Sequence, residues 1–384
     1  MLIIFWLSVA LILLSYAVYP AIVTLLARGK KENSDVFDIN NLPAVSVIIA
    51  AYNEEASIRK KIESTVNCNY PADKLEILVG SDASNDRTVS ILQELAEKYP
   101  CIRIFDFQQR RGKPSVVNDL VANARHDILI MTDAKVFFRE DAIFKLVKHL
   151  KNPEIGVVGA NIVCRKQSVD GISVQEYAFM SREIKLKYYE GLTWGKTIGV
   201  YGACYAIKKE QYTVVPSHFS VDDFFITLKA LINGSKAIMN LNAVCFENVP
   251  NEIGIEFKRK VRISAGNFIN LVALSGIFLR PFSSLFFAYF SHKVLRWFGP
   301  LFLIAAFFSN LLILELGLIY QLTFAGQLFL LLAIPVDILL GNQGIHNRLL
   351  RFIRHFYAMN LALLVGLFKA ISGRKTSIWQ PTRR

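Results

Sequence analysis

From Leu2 to Ala27 the chain carries no charged residue. About 26 residues at roughly 1.5 Å rise cross a hydrocarbon core of about 30 Å with some tilt, so this stretch is expected to span a membrane. A cleaved signal peptide would carry basic residues before the apolar run, whereas here Arg28, Lys30 and Lys31 follow it. An uncleaved anchor is therefore expected, and the positive-inside rule keeps the segment that follows in the cytoplasm.

The rest of the composition agrees with lipid contact. The 384 residues are 53% hydrophobic with a formal charge of +13 and a mean hydropathy of +0.35, which excludes disorder and an ordinary soluble domain. From Ile263 onward there are 11 Lys/Arg against Glu315 and Asp337, so +9 of the excess lies beside the later apolar runs. Charge placed there suits anionic lipid headgroups, and no nucleic-acid partner is expected. Five cysteines show neither CxxC nor Cys/His spacing, and read as reduced thiols of a cytoplasmic domain.

After a polar linker at Asn33–Asn41, short β-branched runs alternate with amphipathic stretches over about 200 residues, the pattern of an α/β domain with a mostly parallel sheet. Strands are expected at Val45–Ala50, Glu76–Gly80, Ile102–Phe107, Ile128–Met131, Gly202–Ile207 and Lys236–Ala243. Helices are expected at Glu54–Val66, Asp86–Lys98, Pro114–Ala124 and Asp222–Asn233. Beyond Glu256 the character changes. Phe257, Val261, Ala265, Phe268 and Val272 follow helical spacing among basic residues, as in an interfacial helix. Gly276–Phe290, broken by Arg280-Pro281, is expected at the bilayer surface. Trp297–Leu314 and Leu316–Pro335 are expected to form a membrane hairpin with its turn near Glu315. Phe356–Phe368 is short for a span and has Arg on both flanks, which leaves a fourth span and a re-entrant or surface segment both open.

Ligands of open α/β sheets bind beyond the carboxyl ends of the strands. Polar clusters stand there after each early strand: Tyr52-Asn53-Glu54-Glu55, Ser81-Asp82-Ala83-Ser84-Asn85-Asp86, Arg111-Gly112-Lys113 and Thr132-Asp133-Ala134-Lys135. An aromatic ring and carboxylates suit a nucleobase and ribose, Lys113 suits phosphate, and Asp133 suits a divalent metal against a diphosphate. Taken singly, Asp82, Ser84 and Asn53 read equally well as turn or capping residues. Neither GxxxxGK[ST] nor GxGxxG follows the first strand, which disfavours ATPase and dinucleotide folds. His126, His149 and His218 lack partners at metal or triad spacing, and His292 and His346 suggest interfacial positions.

These motifs, in this order across roughly Val45–Asn270, resemble the membrane-embedded family 2 glycosyltransferases of GT-A fold, which include exopolysaccharide, cellulose, chitin and hyaluronan synthases. The resemblance implies that Tyr52 and Glu54 contact the base, that Asp82 binds nucleotide, and that Lys113 lies near the diphosphate. It implies that Asp133 is the first aspartate of a DxD metal motif, holding Mg²⁺ or Mn²⁺. Lys135 replaces the second carboxylate, either as a charge on the leaving group or as a solvated loop lysine. Asp222-Asp223 resembles the acidic motif at the acceptor site, with Asp223 as base and one of the pair open to an N-cap role. Arg259 and Arg262 fall at a QxxRW-like segment over the donor, in which Ile263 replaces Trp, while Lys258 and Lys260 read as lipid-facing. Gly202 falls on the acceptor side, where the sugar approaches the backbone.

The expected organisation is an anchor at 1–28, a cytoplasmic catalytic domain at 40–255, interfacial helices at 256–292, a membrane region at 293–373 and a basic tail at 374–384. The expected function is inverting transfer from a nucleotide-sugar, a UDP-sugar by resemblance, to a polysaccharide or lipid-linked acceptor. The setting is multi-pass in the cell (plasma or inner) membrane. Two rivals remain in view: a single-sugar transferase to lipid, and a silent nucleotide-sugar-binding scaffold.

Overall fold

The computed structural model describes residues 1–165 and 171–373; the basic tail expected at 374–384 lies outside the described residues. One sheet contains β1 (Val45–Ala51), β2 (Leu75–Asp82), β3 (Ile102–Phe107), β4 (Ile128–Asp133), β5 (Phe137–Phe138), β6 (Ile155–Val163), β7 (Cys204–Lys208) and β8 (Lys236–Phe246). Its order is β3-β2-β1-β4-β7-β6-β8-β5. The β-branched runs of β1, β2 and β4 are buried along almost their whole length. Side chains such as Ile48, Ile77 and Leu78 are covered completely or nearly so, each contributing roughly 1.5–3 kcal/mol by leaving water.

Parallel pairing sets Ala51 opposite Ser81, Ala50 opposite Asp133, and Asp82 opposite Phe107. The polar residues that end these strands therefore emerge level, on one edge. The sheet is mostly parallel, as expected, with antiparallel pairs at β4–β7, β6–β7 and β5–β8. β7 runs antiparallel to both β4 and β6, and this reversal brings the Gly202-Ala203 loop alongside the end of β4. There, Asp133 N and Thr132 Oγ1 donate to Ala203 O at 3.1 and 3.0 Å.

The helices are α1 (Leu2–Leu26), α2 (Ile58–Val66), α3 (Thr88–Lys98), α4 (Lys113–Asn123), α5 (Ala142–Val147), α6 (Ser173–Trp194), α7 (Asp222–Ile232), α8 (Ile253–Ala273), α9 (Ser284–Trp297), α10 (Gly299–Leu311), α11 (Leu318–Asn342) and α12 (Arg348–Ile371). Helix α6 was not anticipated, because its buried face mixes Gln175, Glu176, Glu183, Lys187 and Glu190 with Met180, Ile184 and Leu186. The carboxylates among them are matched by partners from the membrane-proximal elements. His292 lies between Glu190 at 2.6 Å and Glu183 at 3.1 Å, Lys293 reaches Glu183 at 2.7 Å, and Arg296 pairs with Glu183. Tyr19 of α1 donates to Glu190 at 2.6 Å. His292 is thus enclosed in protein, which corrects its expected interfacial position.

Among the described residues two helices, α1 and α11, are long and apolar enough to cross a membrane, and α9 with α10 would add a third as one span bent by 62°. The expected hairpin is thereby corrected at its first arm: the break falls at Phe298, just before Pro300 in the first turn of α10, where the missing N–H is harmless. The run at Phe356–Phe368 belongs to α12, whose Arg351 and Arg354 reach Asp337 of α11 at 3.5 and 3.2 Å. Helix α12 packs closely on α8. Ser264 Oγ donates to Leu363 O at 2.9 Å, and a Cβ on Gly366 would collide with that of Ser264. The expected interfacial helix is therefore clasped between α12 and the catalytic domain. Lys260, expected on lipid, instead pairs with Glu176 at 2.7 Å and Glu256 at 3.3 Å.

Candidate active site

The loops leaving β1 and β2 are laced together. Asn53 exchanges hydrogen bonds with Asn85 at 2.7 and 3.0 Å, its amide donates to Ser84 Oγ, and the Glu54 amide donates to Thr88 Oγ1. Asn53 and Ala83 both hold positive φ, at 51° and 57°. Such backbone is uncommon for residues with a Cβ and concentrates at functional sites.

On this platform the Arg110 guanidinium lies 3.5 Å from the centre of the Tyr52 ring and 4.0 Å from Asp82. The buried Asp82 carboxylate accepts the Arg111 amide at 2.7 Å and the Gly112 amide at 3.0 Å. Gly112 has φ of 84°, a conformation open to glycine at little cost, and with it the chain turns directly into α4. Lys113 heads that helix. Its ammonium sits 2.8 Å from Asp133 and 3.7 Å from Asp222. Burial opposes its charge, but the carboxylates of Asp133 and Asp222 outweigh that and hold its pKa above the ordinary lysine value.

The loop bearing Asp133 is held from beneath by Lys61, a completely buried lysine that donates to Thr132 Oγ1 at 2.9 Å and Val136 O at 2.7 Å. Burial lowers its pKa to about 8. Lys135 reaches Glu54 at 3.3 Å, so it is not a solvated loop lysine. The buried Glu54 carboxylate also accepts from Ser57 at 2.6 Å; it braces Lys135 and its own loop.

At the start of α7, Asp223 accepts the Gly202 amide at 2.6 Å, and a Cβ on Gly202 would lie 2.9 Å from the same carboxylate oxygen. The N-cap of α7 is Val221, so neither aspartate serves as the cap. Burial, then the Asp222 charge, raise the Asp223 carboxyl to about 6, with Lys113 and Lys187 pulling the other way. Arg262 donates to Ser220 O at 3.3 Å, and Asp133, Asp222 and Asp223 are among the charges facing it. Arg259 turns elsewhere, to Glu256 at 3.1 Å and Glu176 at 3.9 Å. It is not brought to the donor side with Arg262, because Glu256 of its own helix and Glu176 of α6 hold it.

Tyr52, Asp82, Lys113, Asp133, Asp222, Asp223, Gly202 and Arg262 thus share one edge of the sheet, with Glu54 just behind. Arg110 and Lys61 were missed from the sequence. Lys61 carried a legible signal, a charge on the apolar face of Ile58, Ile62 and Thr65. Arg110 carried none that separated it from Arg111. Asp133 offers carboxylate oxygen of the kind that holds Mg²⁺ or Mn²⁺, and a cationic group already rests against it. Among the described residues no group of three or more His, Cys, Asp or Glu side chains is placed to hold a metal, so a bound ion would need oxygens from a diphosphate and water.

The chain is similar to known proteins in fold and in sequence. The structure superposes on the mannosyltransferase PcManGT from Pyrobaculum calidifontis, solved with GDP-Man and Mn²⁺, with a TM-score of 0.73 over 97% of this chain and 99% of that one, at 22% identity. The fold is therefore a GT-A-like α/β fold. The probable glycosyltransferase YdaM of Bacillus subtilis (strain 168) is 27% identical over 380 residues, covering 90% of this chain and 88% of the relative. The poly-beta-1,6-N-acetyl-D-glucosamine synthase of Staphylococcus aureus (strain COL) is 25% identical over 236 residues, or 60% of this chain and 56% of that synthase. The protein is a glycosyltransferase. Its residues 46–213 match the model of glycosyl transferase family 2.

Proposed function

We propose that the protein transfers a sugar, with inversion, from a nucleotide-diphosphate sugar to a saccharide or lipid-linked hydroxyl acceptor at the cytoplasmic face of the cell membrane. A UDP-sugar is the proposed donor. One observation carries the reading: an unbroken line of contacts runs from Tyr52 through Arg110 and Asp82 to Gly112, Lys113, Asp133, Asp222 and on to Asp223 beside Gly202.

The line divides by chemistry. Tyr52 offers a face for a base and Asp82 an acceptor for its N–H. Lys113 and Arg262 supply charge for the diphosphate, stabilising the negative charge that develops as the glycosidic bond breaks. Asp133 would hold the divalent cation, which when bound neutralises diphosphate charge. Asp223 removes the acceptor proton as its oxygen attacks the anomeric carbon opposite the departing diphosphate. The Gly202 amide fixes the orientation of that carboxylate. Helix α1, long and apolar enough to cross a membrane, is joined to α6 by the Tyr19–Glu190 hydrogen bond, which favours an acceptor delivered from the bilayer. Arg28, Lys30 and Lys31 favour a cytoplasmic catalytic domain.

The test is mass spectrometry of products from membranes supplied with UDP- and GDP-sugars and Mn²⁺. Polymer ladders or single-sugar lipids identify the acceptor. Asp223→Asn is expected to abolish turnover with UDP affinity retained; near-normal turnover would show that the base lies elsewhere.

A further inference from the structure

Lys187 of α6 is a buried lysine to which the reaction outlined above gives no task, and burial lowers its pKa to about 7. It is 5% exposed, its ammonium lies 4.0 Å from the centre of the Tyr201 ring, and among the described residues it has no ion-pair partner. Tyr201 precedes Gly202, whose amide holds Asp223. The ammonium therefore stands behind the aromatic wall that leads to the base.

A buried ammonium is disfavoured unless an anion answers it. The charges facing it are Lys293 of α9, Glu183 and Glu190 of its own helix, and Asp223. Glu183 and Glu190 are taken by His292, Lys293 and Arg296, which leaves Asp223. Seen from Asp223, the surrounding groups are Asp222 on its own helix, Lys113 of α4, Tyr205 of β7, Arg262 of α8 and Lys187. Lys113 is committed to Asp133 and Asp222, and Arg262 to Ser220 O.

We propose that Lys187 is a positioning residue of the transfer reaction, whose ammonium, resting on Tyr201, keeps the Asp223 carboxylate charged and aimed at the acceptor hydroxyl. The inference rests on Asp223 being the base. Removing a cation raises the pKa of a carboxylate beside it, so the acid limb of the kcat profile moves to higher pH, by about one unit.

The experiment measures kcat against pH in membranes for the wild type, Lys187→Met, Lys187→Gln and Lys187→Arg, with UDP binding as the check on folding. The Met and Gln variants are expected to lose roughly five- to tenfold of the rate at pH 6 and little at pH 8.5. Arg is expected to restore the limb. An unmoved limb in a variant that binds UDP overturns the proposal, and so does loss of UDP binding in both neutral variants, because a positioning residue on the acceptor side is not needed to build the donor pocket. If Asp223→Asn still transfers sugar, the base assignment falls. If that variant is inactive while the Lys187→Met limb stays in place, only the role of Lys187 falls.

Discussion

Adding one methyl group at Gly202 tests the acceptor side most directly. The new Cβ would lie 2.9 Å from Asp223 Oδ2, 3.0 Å from Cγ and 3.1 Å from Cβ, where ordinary contact begins at 3.4 Å. Gly202 is not among the glycines with positive φ, so alanine strains no backbone angle there and the whole effect falls on the carboxylate. Restoring normal contact moves Asp223 by about half an ångström. Misplacement of reacting groups by about 1 Å costs on the order of a hundredfold, so Gly202→Ala should lower kcat by roughly tenfold, about 1.4 kcal/mol of barrier. Steady-state transfer assays with parallel UDP binding separate this from a donor effect, which should be within twofold of wild type. Wild-type kcat in both Gly202→Ala and the bulkier Gly202→Val would refute the claim that this close approach places the base.

Transfer should rise with pH through about 6 and level off above it, because Asp223 acts only when ionised and its carboxyl is held near that value; a pH–kcat profile flat between 5 and 8 contradicts this. Arg110→Ala, which strips the cation from the Tyr52 face, should weaken UDP binding by roughly fivefold in titration calorimetry with little change in kcat. Lys61→Met should cost about 1–3 kcal/mol in denaturant unfolding, since Val136 O and Thr132 Oγ1 lose their buried donor. Chelation of divalent ions should abolish transfer and Mn²⁺ should restore it, while Asp133→Asn should raise the Mn²⁺ concentration needed for half-maximal rate.

The site was legible where a polar cluster follows an apolar strand, because that juncture marks both the end of hydrogen-bonded ladder and the start of an exposed loop. Asp82 and Asp133, each the last residue of its strand, show the rule. It fails where burial is polar. Helix α6 hides Glu183, Lys187 and Glu190 against charges supplied more than 100 residues later, such as His292 at 2.6 Å from Glu190, and no periodicity in one segment can register a partner so distant. The same blindness misplaced Arg259 and Lys260, which share Glu176 of α6 as well as Glu256 of their own helix. The antiparallel placement of β7 and β5 was not legible, because pairing direction leaves no mark on a run of apolar residues.

The clasp of Tyr19, Glu190 and His292 has a practical corollary for anyone wishing to handle the enzyme in water. Severing the chain after residue 28 would do more than cut a tether, because it strips the Tyr19 hydroxyl from Glu190 and opens the buried cluster to solvent. The first helix works as a splint, and a mechanical displacement of it is felt on the same rod that bears Lys187.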